Sequence, residues 1–298
     1  MTNEELTVAV LGPGGVGGLL AALLARAGHR VICLARKETV ETLRKEGILV
    51  RSGQFGEFAT AVEAQESLRE PVDACLIAVK QTSLDESLAR VPATALGDGL
   101  VVPLLNGVEH PAPLRARYGA DRVAPAIIRV ESTRVAPGVI EHGSPFTEID
   151  LTGDGVPRAR LAEWELAFGK AGVSTRVLAD ETAALWAKLS FLAPFALLTT
   201  RYTLPLGEVR IRHRDELTAL VAEVSAVSHA SGGPNDPAQV LARYDTFLPE
   251  ARSSMLRDAE AGRPLELDAI GGAVLRAGAR HGVPTPVTAR LVGALRAA

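Results

Sequence analysis

Cysteine is scarce in this chain, where Cys33 and Cys75 are the two thiols in 298 residues. That number excludes a disulfide-dense secreted scaffold and leaves too few ligands for a cysteine-rich zinc site. Both lie in apolar runs, RVICLA and DACLIAVK, and read as small buried hydrophobes of strands. An excess of one charge is also missing. With 32 Lys+Arg against 35 Asp+Glu the formal net charge is −3, which argues against a bulk electrostatic grip on nucleic acid. The basic patch Arg210 to Arg214 is short and has no interleaved aromatics, so nucleic acid is not expected as a partner. Long hydrophobic runs are absent too: Val221 to Val227 is interrupted by Glu223 and falls far short of a membrane span. The six histidines, His29, His110, His142, His213, His229 and His281, form neither HxxxH nor HExxH, and no metal site is expected. Glu4 and Glu5 stand where a secretory signal would want positive charge. The expectation is a cytoplasmic protein with no membrane partner.

The sequence does contain a change of periodicity. Residues 6 to 130 alternate short β-branched runs with Ala/Leu-rich helical stretches, the pattern of a parallel sheet covered on both faces. LTVAVLG, RVICLA, CLIAVK and VVPLL read as strands, and Gly15 to Ala27 as a helix. RVAPAIIRV, PGVIEHG and FTEIDLTG read as an edge extension of that sheet. From Glu181 onward the pattern is helical almost to the end, broken at Ser231 to Pro237 and Gly282 to Pro286. The fold class is therefore an α/β N-terminal Rossmann domain, residues 1–179, followed by a mainly α-helical domain, residues 180–298. The helical domain is the expected place for substrate and for a homodimer contact. A ligand site in the cleft between the two domains is the corresponding expectation.

LGPGGVGG places Gly12, Gly14 and Gly17 in GxGxxG spacing, directly after an apolar strand and at the opening of a helix. Gly12 permits the tight turn, Gly14 leaves room for a pyrophosphate, and Gly17 lets helix and sheet approach, so Gly12, Pro13, Gly14, Gly15, Val16 and Gly17 form the expected cofactor turn. The second strand runs out at Arg36 and Lys37, where an NAD site would place a carboxylate for the ribose diol. Two cations there suit a 2′-phosphate and favour NADPH/NADP+. Lys80 ends the strand CLIAVK and Asn106 follows VVPLL, at the edge where open α/β sheets bind ligands, and both are expected near the nicotinamide or its ribose.

These segments carry a resemblance. LGPGGVG, LAR ending in Arg36, AVK ending in Lys80, LNGVE with Asn106, LWAKL with Lys188, SSML with Ser254 and LELDAIGGAVLRAGARHGVPTP with Glu266 occur in the order found in ketopantoate reductases (2-dehydropantoate 2-reductases). The chain resembles that family over essentially its whole length. The resemblance implies NADPH-dependent reduction of 2-dehydropantoate to pantoate, in pantothenate biosynthesis. It implies Lys188 as the catalytic lysine, Glu266 as a catalytic carboxylate near cofactor and substrate, and Ser254 as a substrate-binding hydroxyl. Asn106 would touch both nicotinamide and substrate, a small 2-oxoacid. The chemistry is coherent, because an ammonium aimed at a carbonyl oxygen stabilises the charge that hydride arrival creates.

The chain also departs from the family pattern. Leu192 and Ala196, one and two turns beyond Lys188, and Leu206 and Ala251 stand where relatives carry asparagines. Leu192 and Ala196 should line the same helix face as Lys188. Loss of such partners costs about 1–3 kcal/mol for each ligand group left dry and unsatisfied. Two alternatives follow: a reductase of a less polar 2-oxoacid or ketone, and an NADP-binding redox sensor or regulator without turnover.

Overall fold

The computed structural model describes residues 5–297; Glu4, half of the acidic start, lies outside them. Among the described residues two compact units result, one of residues 5–105 and 110–181 and one of residues 106–109 and 182–297.

The first unit opens with β1 (Thr7–Leu11), α1 (Gly15–Arg26), β2 (Arg30–Leu34), α2 (Lys37–Glu46), β3 (Ile48–Ser52), β4 (Gly56–Thr60) and β5 (Glu63–Gln65). It continues through β6 (Ala74–Ile77), α3 (Leu84–Leu88), α4 (Ala93–Leu96), β7 (Leu100–Pro103) and α5 (Pro111–Tyr118). The remaining elements are β8 (Ala126–Arg129), β9 (Ser132–Ala136), β10 (Val139–His142), β11 (Glu148–Leu151), α6 (Arg158–Lys170) and β12 (Ser174–Val177). The principal sheet is parallel, in the order β5-β2-β1-β6-β7. Strands β2, β1, β6 and β7 are apolar on both faces because both faces are covered, whereas the edge strand β5 is polar apart from Ala64. In β1, Val8 and Val10 enter a core shared with α1, α6 and the smaller sheets, while Ala9 and Leu11 enter a second core with Leu84, Leu88 and Leu114. Cys33 in β2 and Cys75 in β6 are buried among these side chains, and burial pushes both thiols up to about 12.

The β-rich run after β7 does not extend the principal sheet, contrary to its reading from sequence. It divides between two separate sheets, β4-β3-β10-β9 and β12-β11-β8. Val123 makes a single parallel bridge to Val101 on the edge of β7. Pro125 then has no N–H with which to continue the ladder. The four-stranded sheet packs on α1 instead, where Ile140 occupies the space that a side chain on Gly18 would need.

The second unit contains α7 (from its second residue; Glu181–Tyr202), α8 (Leu206–Arg212), α9 (Arg214–Ala230), α10 (Pro237–Thr246), α11 (Ser254–Glu260), α12 (Ala273–His281) and α13 (Pro286–Arg296). One turn of π-helix, Asp268–Gly272, precedes α12. Leu189, Leu197, Leu217, Leu220, Val224, Ile270, Val274 and Leu291 form its core. α7 has the length and apolarity to cross a membrane, which none of the runs singled out in the sequence had. Yet 67% of its most apolar stretch is buried, as in the core helix of a bundle. Residues 106–109, read from sequence as part of the N-terminal domain, pack with this unit. Gly107, at φ +88°, approaches the backbone of the π turn so closely that a Cβ would lie 2.5 Å from the carbonyl oxygen of Ala269.

Candidate active site

The glycine turn joins β1 to α1 as its spacing predicts. Gly12 has φ +86°, and a Cβ there would meet Val79 Cγ1 at 2.6 Å. A Cβ on Gly17 would lie 2.3 Å from the Gly12 carbonyl oxygen, and one on Gly15 only 2.2 Å from that of Ser132. Protein packing therefore requires glycine at these three positions. Gly14 differs: its Cβ would have nothing nearer than the Gly12 oxygen at 4.0 Å. The fold leaves that side of the turn open. An open side beside the first N–H groups of a 12-residue helix fits the pyrophosphate of a dinucleotide. Buried Pro13 and half-buried Val16 complete the turn.

Two cationic positions belong to the same unit. Arg36 lies just beyond β2, as the residue preceding α2, with its side chain 78% exposed and its Nη2 3.9 Å from the Glu86 carboxylate. Lys37 is exposed beside it. Both are accessible to an incoming phosphate. Lys80 lies three residues beyond the end of β6 rather than on the strand itself. It is half-buried and opens a 3₁₀ turn in which Ser83 donates from its N and Oγ to the Lys80 carbonyl, at 3.0 and 3.2 Å.

The second unit brings together residues far apart in sequence. Asn106 Nδ2 donates to Glu266 Oε2 at 3.1 Å across 160 positions. Glu266 is 7% exposed, so this bond supplies the partner that a buried carboxylate requires. Lys188 is half-buried on α7, between exposed Ala187 and buried Leu189. Ser254 is the exposed first residue of α11. Its neighbour Ser253 is the cap, accepting from Leu256 N at 3.0 Å and lying 2.8 Å from Thr199 Oγ1.

The four apolar departures divide into two pairs. Ala196 and Leu206 are 1% and 0% exposed and belong to the helical core. Leu192 and Ala251 are half-buried at its margin. Of the two expected to share the Lys188 face, Leu192 retains exposed surface and Ala196 does not.

Sequence reasoning missed a polar assembly beside the Asn106–Glu266 bond. Arg276 donates from Nε and Nη2 to the Glu109 carboxylate, at 2.6–3.2 Å. Its Nη1 reaches Asp268 Oδ1 at 2.9 Å and its Nη2 the Asp268 carbonyl at 3.0 Å. Glu109 and Arg276 are separated by 167 positions, and no local pattern announces their contact.

Comparison with known proteins finds matches over both the N-terminal and the C-terminal part of the chain. Residues 8–151 match the family model described as ketopantoate reductase PanE/ApbA, and residues 180–298 match the model of its C-terminal part. A 2-dehydropantoate 2-reductase of Caulobacter vibrioides is 31% identical, over 98% of this chain and 99% of its own. The crystal structure of a PanE/ApbA family ketopantoate reductase from Ralstonia eutropha is 28% identical, with a TM-score of 0.88 and 98% of each chain covered. A D-mandelate dehydrogenase, solved with NADH and anilino(oxo)acetate, gives a TM-score of 0.90 over 98% of each chain. At 18% identity this last likeness concerns the fold alone. The protein is thus an NAD(P)-dependent oxidoreductase with a Rossmann-type unit and a helical unit. More narrowly, the chain belongs to the PanE/ApbA ketopantoate reductase family, with 2-oxoacid reduction as the family-level activity.

Proposed function

We propose that the protein is an NADPH-dependent reductase of 2-dehydropantoate or a closely related 2-oxoacid. The observation that carries this reading is the buried Glu266 carboxylate held by Asn106, in the unit that also bears half-buried Lys188. The open side of Gly14 supports a dinucleotide on the other unit, with exposed Arg36 and Lys37 favouring the 2′-phosphate form. Lys80 is the further residue assigned to that cofactor. When bound, the nicotinamide supplies the hydride.

The chain's own groups supply charge stabilisation and the proton. Lys188 presents its ammonium to the 2-oxo oxygen, stabilises the negative charge developing there, and gives one proton from Nζ as carbonyl becomes hydroxyl. Glu266 orients the amide of Asn106 and provides the carboxylate beside the reacting groups. Ser254 offers its hydroxyl to the polar end of the substrate. Two free, buried cysteines fit a reducing compartment such as the cytoplasm.

A second reading is favoured by half-buried Leu192 and Ala251, which offer no side-chain hydrogen bond to a substrate hydroxyl, whereas Ala196 and Leu206 are buried in the helical core and meet no ligand. Leu192 and Ala251 suit a less polar 2-oxoacid or ketone. The test is NADPH oxidation by purified protein against ketopantoate and a series of increasingly apolar 2-oxoacids. Turnover should fall about a hundredfold or more in Lys188→Ala. Efficient use of ketopantoate selects the first reading, and a preference rising with apolarity selects the second. NADPH binding without turnover of any member leaves a regulatory nucleotide-binding protein and refutes both.

A further inference from the structure

The Asn106–Glu266 bond joins a short loop to the stretch before the π turn, and neither segment is a long regular element. Asn106 begins a four-residue stretch that leaves the second unit again after Glu109. Asp268 begins a single π turn, a geometry that costs regular helical hydrogen bonding and recurs at functional sites. Left to themselves, such segments would sample several backbone arrangements, and the amide of Asn106 would wander relative to the carboxylate it serves. A clamp is present. The planar guanidinium of Arg276, anchored on α12, grips both carboxylate oxygens of Glu109 at one edge and the side chain and carbonyl of Asp268 at the other. Arg296 adds a cation 3.5 Å from the same Asp268 oxygen. Between the two gripped segments, Gly107 lies against the Ala269 carbonyl, with no room for a side chain.

We infer that Arg276 is a positioning residue, which fixes residues 106–109 against the π turn and so holds the Asn106 amide on Glu266 for the reaction. The inference rests on the proposed 2-oxoacid reductase reading and adds to it a residue that touches neither substrate nor cofactor. Two features favour positioning over bulk stability. The ion pairs are partly exposed, with Arg276 at 43%, Glu109 at 40% and Asp268 at 70% side-chain exposure, so they contribute little to the global fold. The guanidinium, by contrast, uses its fork geometry on two different segments at once, which an ammonium cannot reproduce. Lysine in its place should hold Glu109 and release Asp268.

The test combines amide hydrogen exchange with kinetics on the full-length protein carrying Arg276→Gln, Glu109→Gln or Arg276→Lys. Arg280→Gln, an exposed cation of the same helix, is the control. In Arg276→Gln and Glu109→Gln, exchange at Ile270 and Ala273, whose N–H groups donate to the Glu266 and Asp268 carbonyls, should accelerate about tenfold or more while the core amides of α9 remain protected. In both variants kcat should fall about tenfold with a smaller change in substrate KM, as expected when catalytic geometry loosens. Arg276→Lys should recover part of kcat, and Arg280→Gln should match the parent. Unchanged exchange at Ile270 and Ala273 would overturn the clamp. Faster exchange at unchanged kcat, or a rise in KM alone, would overturn its catalytic purpose. A parent protein that oxidises NADPH with no 2-oxoacid refutes the reductase reading and with it that purpose, while the exchange data still decide whether Arg276 orders the π turn.

Discussion

Replacing Gly14 with alanine separates what the glycine turn does for the fold from what it does for a ligand. The Gly14 backbone, at φ −82° and ψ −154°, is extended rather than left-handed, and the added methyl would approach the protein no closer than 4.0 Å. No packing contact in the folded state therefore rejects it. Restricting the unfolded chain favours the variant by about 0.4–1 kcal/mol, offset by the lower preference for alanine at an N-cap, the position Gly14 holds on α1, so the ligand-free melting temperature should stay within about 4 °C of the parent's. Gly15→Ala is the internal comparison. Its methyl would sit 2.2 Å from the Ser132 carbonyl oxygen and 2.7 Å from the carbonyl carbon, so β9 or the start of α1 must move, at about 1–3 kcal/mol. Nucleotide binding should separate Gly14→Ala from the parent. A methyl on the open side occupies the space through which a pyrophosphate would approach the helix N–H groups, and a loss of tenfold or more in affinity corresponds to about 1.4 kcal/mol. Melting without ligand, followed by fluorescence titration with NADPH, measures both terms. Gly14→Ala binding NADPH as tightly as the parent would refute the assignment of that open side to phosphate. A melting loss equal to that of Gly15→Ala would refute the packing argument.

Two further predictions follow from charge. Arg36→Ala should weaken NADPH about tenfold and leave NADH nearly unchanged, the lower end of a charge-assisted contact being appropriate to a side chain that is 78% exposed and screened by water. Equal losses for the two nucleotides in steady-state KM measurements would remove Arg36 from the 2′-phosphate. Burial holds His142 below the ordinary 6.5, outweighing the Phe146 carbonyl and Glu131, which pull it upward. The unfolded chain therefore takes up this proton first as pH falls. The stability that His142 contributes by staying neutral is fully present above about pH 6.5 and is lost as pH drops toward its depressed folded value. Melting between pH 7.5 and 5.5 should show a shallower pH slope in His142→Gln, and an unchanged slope would assign the dependence elsewhere.

The first βαβ passage was legible in the sequence because three signals agree there: short, continuous β-branched apolar runs, a glycine turn and a helix of the right length. The helical second unit was legible for the same reason, through sustained periodicity after Glu181. The fate of the β-rich run was not. Its strands have ordinary strand composition, and what diverts them from the principal sheet is the missing N–H of Pro125 just after the bridge between Val123 and Val101. Adjacent serines present the same difficulty at smaller scale. Ser253 and Ser254 have identical chemistry, and only the extended backbone of Ser253, φ −64° and ψ 155°, makes it the cap. Asn106 and Glu266 were singled out separately, by strand-end position and family likeness. Their mutual hydrogen bond depends on a loop clamped by Glu109 and Arg276, a contact that exists only after folding has joined them.

The split membership of the first 181 residues limits how this protein can be taken apart. Because residues 106–109 belong with the helices although the chain on either side of them does not, the backbone passes from one unit to the other three times. Scission between Glu181 and Thr182 therefore yields no self-sufficient halves. The C-terminal fragment keeps a buried acid stripped of its amide, and the N-terminal fragment carries a four-residue tongue with nothing to grip. Gene fragments exchanged at that junction would inherit mismatched tongues, so recombination among relatives should succeed only where both partners of each grip travel together.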